Sequence, residues 1–162
     1  MTRVLVVYAT RNGSTEEVAR AIATVATASG AQAEVTAAAS VRGPLRGWDL
    51  VVLGGAIYSG RWHADARRFL RRHRVELASV PVAVFGMGPR RDDEEAWRHS
   101  RNQLDHALRR APWLVPVAVG LFGGVDPPRR ARVERRDLRD WTAIGDWARK
   151  TLAAVAEHEE SR

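Results

Sequence analysis

Five short strand-like runs, all but 33–36 apolar and unbroken rather than alternating, constrain this chain more than any other feature. They cover residues 4–9, 33–36, 50–54, 80–85 and 115–122. A strand with one face in water alternates apolar and polar side chains, whereas a strand covered on both faces does not. Between the runs lie stretches with helical spacing. In the first, Val18, Ala19, Ile22 and Ala26 share a face, Glu16, Glu17 and Arg20 lie elsewhere, and Gly30 supplies a stop. A second helix is expected over 64–74, burying Phe69 and Leu70, and a third over 93–110. The last starts at Asp140, a suitable N-cap, with Trp141, Ile144, Ala148, Leu152 and Val155 as its stripe and a frayed end from residue 157. This alternation, with right-handed crossovers, gives an α/β doubly wound parallel sheet of five strands in the order 2-1-3-4-5. Ligands of such sheets bind beyond the C-terminal strand ends, where the order reverses between the first and third strands.

A chain of 162 residues is long enough for one domain with a sizeable core, expected here to span 1–162. No apolar run reaches the length of a membrane span, and a strand starting at Arg3 leaves no room for a signal peptide, so a cytoplasmic location is expected. With no cysteine, disulfides, thiolate chemistry and cysteine-ligated metals are excluded, and any redox chemistry must come from a bound organic cofactor. His99 and His106 lie seven apart with no supporting carboxylate pattern, so no metal site is expected. The net charge of +7, nearly all arginine because Lys150 is the only lysine, permits acidic substrates or anionic surfaces as partners. Nucleic acid is not expected, because Tyr58 and Trp62 are not interleaved with arginines as a stacking platform requires.

Three segments leave strands at the expected ligand edge. The first is Thr10, Arg11, Asn12, Gly13, Ser14 and Thr15, between the first strand and the first helix. Hydroxyls, free N–H groups and a helix N-terminus converge there on a place suited to a phosphate. One glycine and no lysine fit neither a dinucleotide fingerprint nor a P-loop, which leaves a terminal phosphomonoester. The competing reading is a plain strand–helix turn in which Ser14 or Thr15 starts the helix. The second segment, Gly54 to His63, contains Ala56, Ile57, Tyr58, Ser59, Gly60 and Trp62. Tyr58 and Trp62 can flank a flat ring, or Trp62 can pack under the next helix with His63 as its cap. The third is Gly86, Met87 and Gly88, whose glycines permit close backbone approach. Together the three loops describe a slot for a flat, phosphorylated heterocycle.

The 10–15 turn resembles the FMN phosphate loop of the flavodoxin family, Thr-x-Thr-Gly-x-Thr, with Asn12 in place of the middle threonine. The resemblance covers essentially the whole chain and implies a flavodoxin-like fold with FMN as cofactor. Within that superfamily the chain looks most like the flavodoxin-type, menaquinone-dependent protoporphyrinogen dehydrogenases. The Thr-Arg-x-Gly-x-Thr turn carries this, as do Gly55-Ala56-Ile57-Tyr58-Ser59-Gly60 followed by Trp62-His63, and Asp140-Trp141 with Ala148-Arg149. Those enzymes carry a longer, aromatic and basic insertion after the fifth strand; here residues 123–136 are basic, shorter and without an aromatic.

The resemblance implies an FMN-dependent oxidoreductase that takes hydride from protoporphyrinogen or a related substrate of haem biosynthesis, with a quinone as acceptor. The arginines of the 123–139 connection suit an anionic small-molecule substrate or peripheral contact with the inner face of a membrane. A second expectation is an electron-transfer flavoprotein with no substrate of its own, whose basic surface selects an acidic redox partner. A third is a partner-binding module that has lost FMN.

Overall fold

The computed structural model describes residues 1–126 and 135–161. Strands β1 (Arg3–Ala9), β2 (Gln32–Ala37), β3 (Leu50–Tyr58), β4 (Arg61–Trp62), β5 (Val82–Met87) and β6 (Ala118–Phe122) alternate with helices α1 (Ser14–Ala28), α2 (Ala64–Arg72), α3 (Arg74–Leu77), α4 (Glu94–Arg109) and α5 (Trp141–Glu160). The sheet order is β2-β1-β3-β5-β6, with β4 hanging off β3. The five main strands run parallel in the expected order, and β4 is an addition: a two-residue strand antiparallel to β3. Strands β1 and β3 are covered on both faces. Val4 and Val6 of β1 pack with Val18, Ile22, Ile144 and Ala148 of α1 and α5. Leu5 and Val7 point the other way, toward Phe69 of α2 and Leu104 of α4. The unbroken apolar runs follow from this two-sided cover.

Several boundaries differ from expectation for local reasons. The last strand begins at Ala118, not residue 115: Pro116 has no N–H for a ladder, and Val115 is 84% exposed. The 64–74 helix stops at Arg72, and His73 takes φ −107° before α3 resumes at Arg74. Helix α5 runs to Glu160 instead of fraying from 157, and Trp141, expected on its buried stripe, is half exposed. The basic connection after β6 is described in part; residues 127–134 lie outside the described residues. No helix of the described residues is long and apolar enough to cross a membrane.

Candidate functional site

The parallel order places the C-terminal ends of β1, β3, β5 and β6 along one edge. Thr10, Arg11, Asn12 and Ser14 face Ala56, Ile57 and Tyr58 across a narrow cleft, which Met87, Gly88 and Arg90 close together with the adjacent Gly124 and Val125. The three expected segments do converge, and a fourth, after β6, joins them.

The turn after β1 is built by a short network. Gly13 adopts φ 90°, a left-handed conformation that costs other residues free energy, and its N–H donates to Thr10 Oγ1 at 2.9 Å. Thr10 thereby spends acceptor capacity inside the turn and keeps its hydroxyl proton for an outside acceptor. Gly13 also stands at the N-cap of α1 and has no side chain to cap it. Helix α1 does start at Ser14, as the plain-turn reading has it, but neither Ser14 nor Thr15 caps it, and among the described residues no side chain caps its first N–H groups. Beneath them Thr15 is wholly buried, and its Oγ1 has no hydrogen-bond partner among the described residues. A buried hydroxyl left unpaired costs about 1–3 kcal/mol. An oxyanion over the turn would satisfy the N–H groups and this hydroxyl together.

The turn is held from behind by Arg139. Its guanidinium binds Asp137 at 2.7 Å, Glu17 Oε2 at 3.2 Å and the Ser14 carbonyl at 3.4 Å, and lies 4.8 Å from the centroid of the Trp141 ring. The guanidinium beside Asp137 holds that carboxyl below the usual carboxylate range. Nothing in the local sequence marks Arg139 among its many neighbouring arginines; its role depends on the tertiary proximity of α1 and α5.

The second segment is a hairpin rather than an open loop. Ser59 at φ 49° and Gly60 at φ 80° form the two-residue turn between Tyr58 and its partner Arg61. The hairpin leaves Tyr58 41% exposed at the cleft, with the Arg11 guanidinium 4.3 Å from its ring centroid. Trp62 goes elsewhere. It is 1% exposed, donates Nε1–H to the Gly55 carbonyl at 3.0 Å, and packs with Ala66 and Phe69 under α2. This corrects the expectation that Trp62 flanks a ring, and His63 is indeed the α2 cap, its Nδ1 accepting from the Asp65 N–H. The indole fits because residue 55 has no Cβ, which would stand 2.7 Å from Trp62 Nε1.

Gly86 is also displaced from its expected role. It is buried within β5, where a Cβ would press on Ile57 and Leu104, so its glycine serves packing rather than ring approach. Met87 and Gly88 do reach the cleft. Ser59 and Gly60 line an adjoining groove of about 540 Å³ that also contains Ile57, Gly88 and Arg90. No carboxylate lines the cleft itself, whereas Arg11 and Arg90 do. In the groove Arg90, Arg91 and Arg136 outnumber Glu95 and Asp126. Asp126 is already engaged: the Arg136 backbone N–H at 3.0 Å and guanidinium at 3.2 Å hold its carboxyl below the usual range. Arg90 and the 124–126 segment were missed as individual residues, although two glycines after the last strand were a visible signal.

Known proteins resemble this chain in sequence and in fold. The Protoporphyrinogen IX dehydrogenase [quinone] of Escherichia coli K12 is 26% identical over 129 residues, 78% of this chain and 71% of that protein. Oxidised Flavodoxin 1 of Bacillus cereus superposes with a TM-score of 0.65 at 18% identity, covering 94% of this chain and 98% of that one. A Fusobacterium nucleatum flavodoxin bound to flavin mononucleotide gives 0.59 at 13% identity, again over 94% and 98%. At those identities the two structures establish the fold alone. The family model for the flavodoxin domain matches residues 5–145, and the chain belongs to that family.

Proposed function

We propose that this chain binds FMN and works as a flavin-dependent oxidoreductase. The observation that carries this is Thr15 Oγ1, buried and unpartnered directly below the uncapped start of α1. Thr10 and Ser14 add hydroxyls at the same turn, and Asn12 adds an amide. Bound there, FMN supplies a ring that accepts and gives up electrons as a hydride or singly. The chain's own part is to hold and frame it. Ala56, Ile57 and Tyr58 offer one wall, and Met87 and Gly88 line the cleft end toward β5. The cleft is tight, about 50 Å³, with Arg11 over Tyr58, so a ring enters by moving these two side chains apart. Arg11 and Arg90 then place positive charge beside whatever negative charge the ring carries on reduction.

The groove at the cleft mouth is the place for a reductant or acceptor. Its arginines suit an anionic substrate such as protoporphyrinogen, with a quinone as acceptor, in line with the E. coli relative. A second reading rests on the same arginines: exposed at the mouth, they equally suit an acidic redox protein, and the chain then has no small substrate. The absorption spectrum of purified protein, with identification of the released chromophore, tests FMN binding. Quinone-dependent oxidation of protoporphyrinogen by that protein supports the first reading. Failure of that oxidation, with reduction in two resolved one-electron steps, supports the second.

A further inference from the structure

Beside the β3–β4 hairpin, meeting the cleft-mouth groove at Gly60 and Gln103, lies a further concavity of about 300 Å³ that the cofactor reading does not use. Arg61 of β4, Arg67 of α2, and His106 and Arg110 at the end of α4 line it, over a floor that includes Trp62 and Ala107. We propose that this groove is a binding site for a soluble ligand carrying two adjacent phosphoryl groups, separate from the phosphate turn of α1.

Four exposed helical arginines pair within one turn, Arg20 with Glu16, Arg68 with Asp65, Arg98 with Glu94 and Arg149 with Asp146, whereas among the described residues Arg71, Arg72, Arg101 and Arg109 stand singly in solvent. Arg61, Arg67 and Arg110 pair with no carboxylate among the described residues, and no carboxylate lines the groove. His106 and Arg110 complement the C-terminal dipole of α4, which explains their presence on that helix. It does not explain Arg61 and Arg67, which arrive from two other elements.

Arg67 Nε donates to the Trp62 carbonyl at 3.1 Å, which fixes the guanidinium and leaves its terminal nitrogens free to turn into the groove. Burial, followed by Arg61, Arg71, Arg110 and Arg68, holds the Arg67 guanidinium below its ordinary range, so the groups repel one another at rest. A multivalent anion relieves that repulsion. Guanidinium forks match phosphoryl oxygens two at a time, and the apolar floor strengthens each contact. The groove is concave and of the smallest size class for ligand sites, which suits the end of a small molecule rather than a flat membrane. Trp62 is too deeply buried to stack a nucleic-acid base.

Calorimetric titration of the full chain with inorganic pyrophosphate, at about 150 mM salt to screen diffuse attraction, is the test. In chain saturated with FMN, which occupies the α1 turn, one site is expected. Arg67→Gln with Arg110→Gln should weaken it by at least about tenfold, since two charge-assisted contacts are lost. Arg61→Gln, at an exposed position, should weaken it with unchanged thermal melting, which guards against misfolding of the double variant. Arg149→Gln removes the same charge from α5 and should change affinity less than about twofold. Absence of pyrophosphate binding, equal loss in Arg149→Gln, or binding only to phosphatidylglycerol vesicles would each overturn the proposal.

Discussion

Helices α1 and α5 begin side by side, joined through Arg139, and they begin in opposite ways. The α5 start is closed by its own chain: Asp140 Oδ1 accepts from the Ala143 N–H at 3.0 Å. Helices α2 and α4 are closed likewise, by His63 and Asp93. The α1 start has a glycine where the cap should be and a buried threonine hydroxyl with nothing to bind. A helix start that lacks a cap and also buries an unpaired hydroxyl is less stable than a capped one, and we read that deficit at α1 as room for a ligand.

The contrast can be broken by placing a carboxylate where the anion should sit. Gly13→Asp puts like charge at the turn and should weaken FMN by on the order of 100- to 1000-fold in a fluorescence titration. Thr15→Val should act with opposite signs on two measurements: FMN-free protein gains about 1–3 kcal/mol in denaturant unfolding, while FMN affinity falls about tenfold. Asp140→Ala is the mirror experiment, expected to cost about 1 kcal/mol of stability and to leave FMN affinity within about twofold. If Asp140→Ala damages binding as much as Thr15→Val does, the two helix starts are not different in kind.

Smaller effects sharpen the account at the edges of the site. Arg11→Gln removes a cation beside the ring and should lower the midpoint potential by on the order of 10–30 mV in spectroelectrochemistry. Acid should loosen the brace behind the turn. The Asp137 carboxyl is lowered in the folded state by Arg139, so its contribution is full above the ordinary aspartate value of 3.8 and is lost as pH falls through the lowered folded value. FMN affinity of the parent should therefore converge on that of Asp137→Asn only in strong acid; convergence near neutral pH would contradict the brace.

The strands and their order were legible because burial on both faces leaves an unmistakable run of apolar residues. The 10–15 turn was legible as a strand–helix junction at the expected ligand edge, although its composition alone left a plain turn open. Its decisive property was not: whether Thr15 caps α1 or lies beneath it depends on the φ of Gly13 and on the packing of α1 against the sheet. Trp62 was ambiguous for the same reason. An aromatic after a glycine-rich strand end can point to ligand or core, and the space left by the missing Cβ of Gly55 decides for core. The Ser59-Gly60 turn was present as a dipeptide signal but overshadowed by the reading of 54–63 as one open loop. Arg139 was invisible, one arginine among many, until α1 and α5 came together.

The central claim is that the start of α1 is kept open for a phosphate, and Thr15 tests it most directly. FMN and riboflavin differ only by that phosphate, so their affinities should be measured for the parent chain and for Thr15→Val. The account predicts a strong preference for FMN in the parent that shrinks about tenfold in the variant, with riboflavin affinity unchanged. An unchanged preference, or an equal loss for both ligands, would place the phosphate somewhere other than over α1.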